Sequence, residues 1–188
     1  MGTILRKQGG LAFIAFPLIW VCAVAVSQGA TAGEDTPEAP FRVRVPDGET
    51  AHALRRALVG ADRRLAEPGC LEVLTDFTDA AGRTLKEVLD AHGVSARTYL
   101  RWIVFSDGRD PGACSSKGTV AVTAPGSRVV FICPRAFVEA VRGTPEDAEA
   151  TLIHEMLHTL GLGENPPGTR AITKQVLSRC AARPPPDR

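Results

Sequence analysis

The sequence predicts an α+β fold in which a small mixed or antiparallel sheet packs against one long helix. Three observations predict it. Apolar residues recur at helical spacing over residues 49–67, two short strand-like runs lie at residues 119–123 and 128–133, and the strongest helical pattern follows at residues 144–160. A chain of 188 residues is long enough for one such domain together with a leader.

The first 32 residues are typical of a secretory signal peptide. Arg6 and Lys7 precede an apolar run at residues 11–26, and Ala30-Thr31-Ala32 fits an A-x-A cleavage site. The competing interpretation is a retained membrane anchor, but the apolar run is shorter than the roughly 20 residues that span a bilayer. We therefore expect export to the periplasm or the medium, with no stable membrane insertion after cleavage.

The remaining chain is nearly neutral. Without Arg6 and Lys7 it holds 20 basic and 21 acidic residues, for a net charge of −1. Nucleic-acid binding needs a basic excess on one face, so this balance argues against a nucleic-acid partner. We expect one domain at residues 33–182 and a disordered, proline-rich tail at residues 183–188. The sequence indicates nothing about oligomeric state.

Four cysteines follow the predicted leader, and an even number in an exported chain indicates two disulfides. Three pairings are possible. We favour Cys114 with Cys133, because the segment between them has the pattern of a hairpin. Cys70 with Cys180 would then join the early part of the domain to its C-terminal helix.

The first half of the domain is predicted to alternate helices and strands. Apolar residues at three- and four-residue spacing predict a helix from Glu49 to Glu67, which Pro68-Gly69 ends. A strand is predicted from Cys70 to Phe77. Thr84 and Glu87 then form a capping box that begins a second helix, in which each side chain satisfies a free backbone N–H group.

Three further strands are predicted before the long helix, at Arg101–Ser106, Thr119–Thr123 and Arg128–Cys133. Between the last two, Pro125-Gly126 suits a type II turn, whose third position needs a positive φ. One of the two strands between Thr119 and Cys133 is a candidate sheet edge for pairing with an extended peptide.

The helix at residues 144–160 carries the residues that indicate chemistry. Thr144 is its predicted cap, and Pro145 suits its first position. Within it stand His154, Glu155 and His158. Residues four apart lie on one helix face, so both imidazoles can bind one Zn²⁺ ion, while Glu155 can reach a water molecule beside it. This H-E-x-x-H spacing is that of metalloproteases.

The continuation resembles the zincin peptidases, and within them the metzincin signature H-E-x-x-H-x-x-G-x-x-H. Gly161 matches the glycine that turns the chain back, and Glu164 stands where the third ligand belongs. Two departures are present. The last position is Glu where this family usually has His or Asp, and no methionine follows Met156, so the family's Met-turn is absent.

Other third ligands are less favoured. No histidine follows His158, so a later residue must be a carboxylate, and Glu164 is the nearest. His92 ends its own helix, where a histidine commonly interacts with the helix dipole. Cys133 would match the thiolate of peptide deformylases, which also carry H-E-x-x-H, but a disulfide would consume its sulfur.

The resemblance implies a zincin-like fold and a zinc-dependent metallopeptidase that hydrolyses peptide or protein substrates with Glu155 as general base. The oxyanion donor is not identified. Tyr99, the only tyrosine, is one candidate, although it suits packing better. Two alternatives stay open: a non-catalytic, disulfide-stabilised secreted module, and a zinc amidase that acts on a non-protein amide.

Overall fold

The structure is a computed structural model that describes residues 39–109, 112, 114–115, 118–164 and 166–181. The predicted signal peptide and the proline-rich tail lie outside these residues. The elements, in chain order, are β1 Arg42–Arg44, α1 Gly48–Arg64, α2 Pro68–Leu71, α3 Val73–Asp76, α4 Leu85–Ala91, α5 Ala96–Trp102, β2 Val104–Asp107, β3 Ala121–Val122, β4 Val129–Ile132, α6 Pro134–Gly143, α7 Pro145–Thr159 and α8 Thr169–Cys180.

The sheet is small and mixed, as predicted for an α+β fold. Its four described strands lie in the order β1-β2-β4-β3. Strands β1, β2 and β4 are parallel, and β3 pairs with β4 in the antiparallel direction, with Ala121 opposite Ile132 and Val122 opposite Phe131. Strand β3 therefore forms one edge of the sheet.

Helix α7 lies at the centre of the helical layer. It packs against α1, α6 and α8 and also contacts β3. Leu152, Ile153, Met156 and Leu157 of α7 are fully buried. Because burying a side chain of this size contributes about 1.5–3 kcal/mol, this apolar surface fixes α7 firmly in the core.

Several local predictions are confirmed. Helix α1 covers most of the predicted range, and the capping box of Thr84 and Glu87 is complete at the start of α4. Gly126 has φ +77°, and the Ser127 N–H donates to the Ala124 carbonyl at 2.9 Å, as a turn at Pro125-Gly126 requires. These features depend on neighbouring residues alone.

The predicted strand from Cys70 to Phe77 is wrong. The segment forms the short helices α2 and α3. Its buried residues are Cys70, Val73 and Leu74, which recur at the spacing of a helix and not at that of a strand. Pro68 begins α2 at its first turn, a position where proline loses no hydrogen bond.

The strand predicted from Arg101 begins later, at Val104, because Arg101 and Trp102 end helix α5. The Ser95 side chain caps α5 by accepting a hydrogen bond from the Thr98 N–H. Thr144 is the N-cap residue of α7, as predicted, but its side chain makes no capping hydrogen bond.

Both predicted disulfides are present. Cys114 pairs with Cys133, and Cys70 pairs with Cys180. Two disulfides are consistent with an extracellular protein. Over the residues that the structure describes, no helix has both the length and the apolar character needed to cross a bilayer.

Candidate metal centre

Helix α7 presents both predicted imidazole ligands on one face. His154 and His158 lie one helical turn apart, and each is only 4% exposed. Their Nε2 atoms are 3.0 Å apart, and the two rings meet edge to face. The imidazoles therefore converge on one point rather than diverging into solvent.

Glu164 completes the group. Its Oε1 atom lies 3.4 Å from Nε2 of His158 and 3.9 Å from Nε2 of His154. One ligand atom from each of the three residues lies within 4.8 Å of the others. Ligand atoms bound to tetrahedral zinc at about 2.0–2.1 Å are roughly 3.3 Å apart, so this spacing suits a single ion.

The end of α7 turns the chain back toward the imidazoles. Gly161 has φ +107°, a conformation that favours glycine, and its N–H donates to the His158 carbonyl at 2.9 Å. Leu162 is buried beyond it. Thr169, at the start of α8, donates a hydrogen bond of 2.7 Å to Oε1 of Glu164. The predicted role of Gly161 is consistent with this path.

The outer nitrogens of both imidazoles have partners that the sequence analysis did not identify. Nδ1 of His158 lies 2.7 Å from the Leu162 carbonyl oxygen, and Nδ1 of His154 lies 3.0 Å from Oγ1 of Thr173 on α8. Partners at the outer nitrogen orient metal-binding histidines and fix the tautomer. No pattern in the sequence identifies Thr173 as one of these partners.

Glu155 lies beside the imidazoles, and no described residue forms an ion pair with it. It is 6% exposed, and its Oε2 atom has no hydrogen-bond partner among the described residues. Burial and the nearby Glu164 charge raise the pKa of Glu155 to about 8, although a hydrogen bond from the Thr123 backbone lowers it. At neutral pH this carboxyl group therefore holds a proton that it can exchange near pH 8.

His154 is neutral at physiological pH. Burial and the neighbouring His158 lower its pKa to about 4, while the Glu164 charge raises it. A metal ligand must be a neutral imidazole, so the low pKa means that His154 need not lose a proton to solvent before it binds a cation.

The three converging residues line a cleft of about 550 Å³ between α7 and the sheet edge. Strand β3 lines one wall of the cleft along its whole length, and residues from α8 line the other wall. Its lining is Gly118, Thr119, Val120, Ala121, Val122, Thr123, Pro125, Thr151, His154, Glu155, His158, Glu164, Thr169 and Thr173.

The alternative ligands lie elsewhere. Cys133 is consumed by its disulfide with Cys114, so the deformylase-type thiolate is ruled out. His92 stacks on Tyr99 with ring centroids 5.4 Å apart and is not part of the group. Tyr99 is buried, and its hydroxyl donates to the Thr159 carbonyl at 3.1 Å, which makes it a packing residue.

The donor chemistry fits zinc. Two imidazoles and one carboxylate form one of the ligand sets of catalytic zinc sites, which leave a fourth position for water or substrate. The unpartnered Oε2 of Glu155 is the type of buried polar atom that such a water would satisfy. His154, His158 and Glu164 are thus the residues that would hold the ion.

Comparisons with protein-family models, with curated proteins and with solved structures found no match to this chain. The arguments for its function therefore depend on the geometry of the site and on the motif that it carries.

Proposed function

We propose that this chain is a secreted zinc-dependent metallopeptidase with a zincin-like, metzincin-related site. One observation carries the proposal. Two imidazole nitrogens and the Glu164 carboxylate converge at one point, and the buried Glu155 carboxyl lies beside them in an open cleft. A merely structural pair of histidines would not need an open cleft or an unpaired acid.

The bound ion would polarise the substrate carbonyl and bring the pKa of a water molecule to about 7. Glu155 accepts a proton from the attacking water while the water oxygen bonds to the carbonyl carbon. Glu155 then gives that proton to the departing nitrogen as the C–N bond breaks. This role needs the ionised carboxylate. The pKa of about 8 belongs to the cation-free site, and the positive charge of a bound ion would lower it.

The edge strand supports a peptide as substrate. The Cys133 N–H donates to the Val120 carbonyl at 3.0 Å, so Val120 faces β4. Alternate residues of a strand face opposite sides, so the backbone N–H and C=O groups of Ala121 face away from β4, into the cleft. An extended peptide can pair with them by β-augmentation, next to Glu155.

Export is part of the proposal. The leader pattern and the two disulfides favour a protein that acts outside the cytoplasm.

The test is hydrolysis of a mixed peptide library by the purified protein, before and after chelator treatment and after zinc is restored. We expect Glu155→Gln to reduce turnover by about 10²- to 10⁴-fold while zinc stays bound, because only the proton acceptor is lost. Glu146→Gln is the matched control. It makes the same change on the same helix at an exposed residue outside the cleft, and it should retain full activity.

Two results would overturn the proposal that the chain is a peptidase. Zinc binding without hydrolysis of any peptide or amide would favour a non-catalytic module. Cleavage of acylated small amides, with peptides left intact, would favour the amidase. Equal activity of Glu155→Gln and Glu146→Gln would remove Glu155 from the mechanism.

A further inference from the structure

The tautomer of His158 is fixed by the backbone. Its Nδ1 atom lies 2.7 Å from the Leu162 carbonyl oxygen, which can only accept a hydrogen bond. The proton of the neutral ring is therefore on Nδ1, and Nε2 is bare. A bare Nε2 is what a cation in the cleft requires, so His158 is prepared for binding whether or not the ion is present.

His154 is in a different position. Its Nε2 atom is 3.0 Å from the bare Nε2 of His158, and two bare nitrogens at that distance repel. In the cation-free protein the proton of His154 is therefore on Nε2, where it is donated to His158. Nδ1 of His154 is then bare and accepts a hydrogen bond from the Thr173 hydroxyl at 3.0 Å.

Binding of a cation reverses this arrangement. Both Nε2 atoms must then be bare, so the proton of His154 has to be on Nδ1. The Thr173 oxygen must now accept the hydrogen bond that it donated before. A hydroxyl group can do both, because it carries one proton and two lone pairs and rotates about its C–O bond.

We propose that Thr173 is a positioning residue of the metal centre, and that its hydroxyl allows His154 to exchange tautomers when zinc binds. This inference rests on the proposed function, since it concerns the same ion. Thr173 does not touch the ion. It acts through His154, by satisfying the outer nitrogen in both states.

Helix α8 is held firmly enough for this role. Cys180 joins its end to Cys70, and Arg179 forms ion pairs with Asp76, at 2.8 Å, and with Glu72. One turn before Thr173, the Thr169 hydroxyl donates to Glu164. Two hydroxyls on α8 therefore orient two of the three ligands, and the disulfide anchors the helix that carries them.

The test is zinc affinity, measured by competition with a chromophoric chelator, for Thr173→Val and Thr173→Ser. Valine has the shape of threonine without the hydroxyl, so we expect the dissociation constant for zinc to rise about 10- to 100-fold. Serine keeps the hydroxyl and should restore an affinity near that of the wild type. Thr151→Val is the matched control, because Thr151 also lines the cleft but its hydroxyl bonds to the Asp147 carbonyl of its own helix.

A second readout is the ¹⁵N chemical shifts of the His154 ring, which distinguish the two tautomers. We expect the Nε2–H form in the zinc-free wild type and the Nδ1–H form after zinc is added. The Nδ1–H form in both states, or equal zinc affinity of Thr173→Val and the wild type, would overturn the role of Thr173 and leave the peptidase proposal intact. A wild-type protein that binds no zinc would overturn both.

Discussion

Two buried polar clusters of this protein differ in one respect that separates structure from function. Near the start of the domain, Asp62 is only 6% exposed. One of its carboxylate oxygens forms an ion pair with Arg101, and the other forms one with Arg97 at 2.6 Å. The Arg101 guanidinium also lies 4.6 Å from the centre of the Phe41 ring. Opposite charges meet there, and the cluster joins α1, α5 and the segment before β1.

The cluster on α7 is equally buried but holds no such opposite charge. Two imidazoles direct their inner nitrogens at one point, and Glu155 has a buried oxygen without a partner in the described part of the chain. Leaving a buried polar atom unpaired costs about 1–3 kcal/mol. The comparison teaches that a buried cluster with matched charges, here the balanced cluster of Asp62, Arg97 and Arg101, stabilises the fold. A buried cluster without matched charges, here that on α7, is arranged for a ligand that supplies the missing charge.

The largest expected effect is on the free energy of unfolding, which should depend on pH in opposite directions for the two clusters. The pKa of Glu155 in the folded, zinc-free protein is raised from 4.5 to about 8, so ionisation favours the unfolded chain. The stabilisation that Glu155 gives the folded protein is fully present below pH 4.5 and is lost as the pH rises toward 8. One pH unit of difference in pKa corresponds to about 1.4 kcal/mol, so the loss is at most about 5 kcal/mol.

Urea denaturation of the chelated protein from pH 4 to pH 9 measures this loss against Glu155→Gln, which cannot ionise. A constant difference between the two proteins across that range would contradict the buried, neutral Glu155.

Removing a ligand should give the next largest effect. We expect His158→Ala to weaken zinc binding by about 10³-fold, roughly 4 kcal/mol, because one of three protein ligands is lost. Chelator competition measures it. Asp62→Asn is the control from the balanced cluster and should leave zinc affinity unchanged. The same loss of affinity in both variants would remove the distinction between the clusters.

The balanced cluster should dominate stability instead. Asp62→Ala leaves two guanidinium groups without their shared carboxylate, and we expect a loss of about 3 kcal/mol in the free energy of unfolding. Burial raises the pKa of Asp62, but hydrogen bonds from Arg101 and Arg97 outweigh burial and lower it below 3.8. Its contribution is therefore present above pH 3.8 and falls at lower pH, opposite in sign to that of Glu155.

Denaturant titrations of wild type and Asp62→Ala at pH 7 and pH 3 check both statements. The gap between the two proteins should narrow at pH 3. A gap of the same size at both values would contradict the ion pairs.

The smallest effect is expected at the edge of the balanced cluster. The Arg97 side chain is 36% exposed, so solvent screens its ion pair with Asp62. We expect Arg97→Met to lower the free energy of unfolding by about 0.5–1 kcal/mol, with no change in zinc affinity. Thermal unfolding by circular dichroism, with and without zinc, measures both. A larger loss than that of Asp62→Ala would reverse the assigned order.

The sequence predicted what short-range patterns determine. Helix α1, the capping box at Thr84 and the helix that carries His154 and His158 follow from spacing along one helix. The strand predicted at Cys70–Phe77 failed because a short apolar run suits either a strand or a buried helical turn until its packing is known. Strand β1 has only three residues and gives almost no pattern.

The residues of the site were likewise predicted where a local pattern placed them and missed where only tertiary packing did. The four-residue spacing of His154 and His158 placed both on one face with Glu155 beside them, and a motif placed Glu164 near them. Thr173 was missed because its contact with His154 depends on how α8 packs against α7, which no local pattern encodes. The hydroxyl that orients the His154 ring is a tertiary contact, and it becomes visible only in the folded chain.

The most direct test of the central claim is a crystal structure of the zinc-loaded protein, with anomalous diffraction recorded at the zinc absorption edge. We expect one zinc peak per chain, bound by Nε2 of His154, Nε2 of His158 and the Glu164 carboxylate at about 2.0–2.2 Å. A zinc peak away from the two imidazoles, or a Glu164 carboxylate turned outward with another residue bound in its place, would contradict the account.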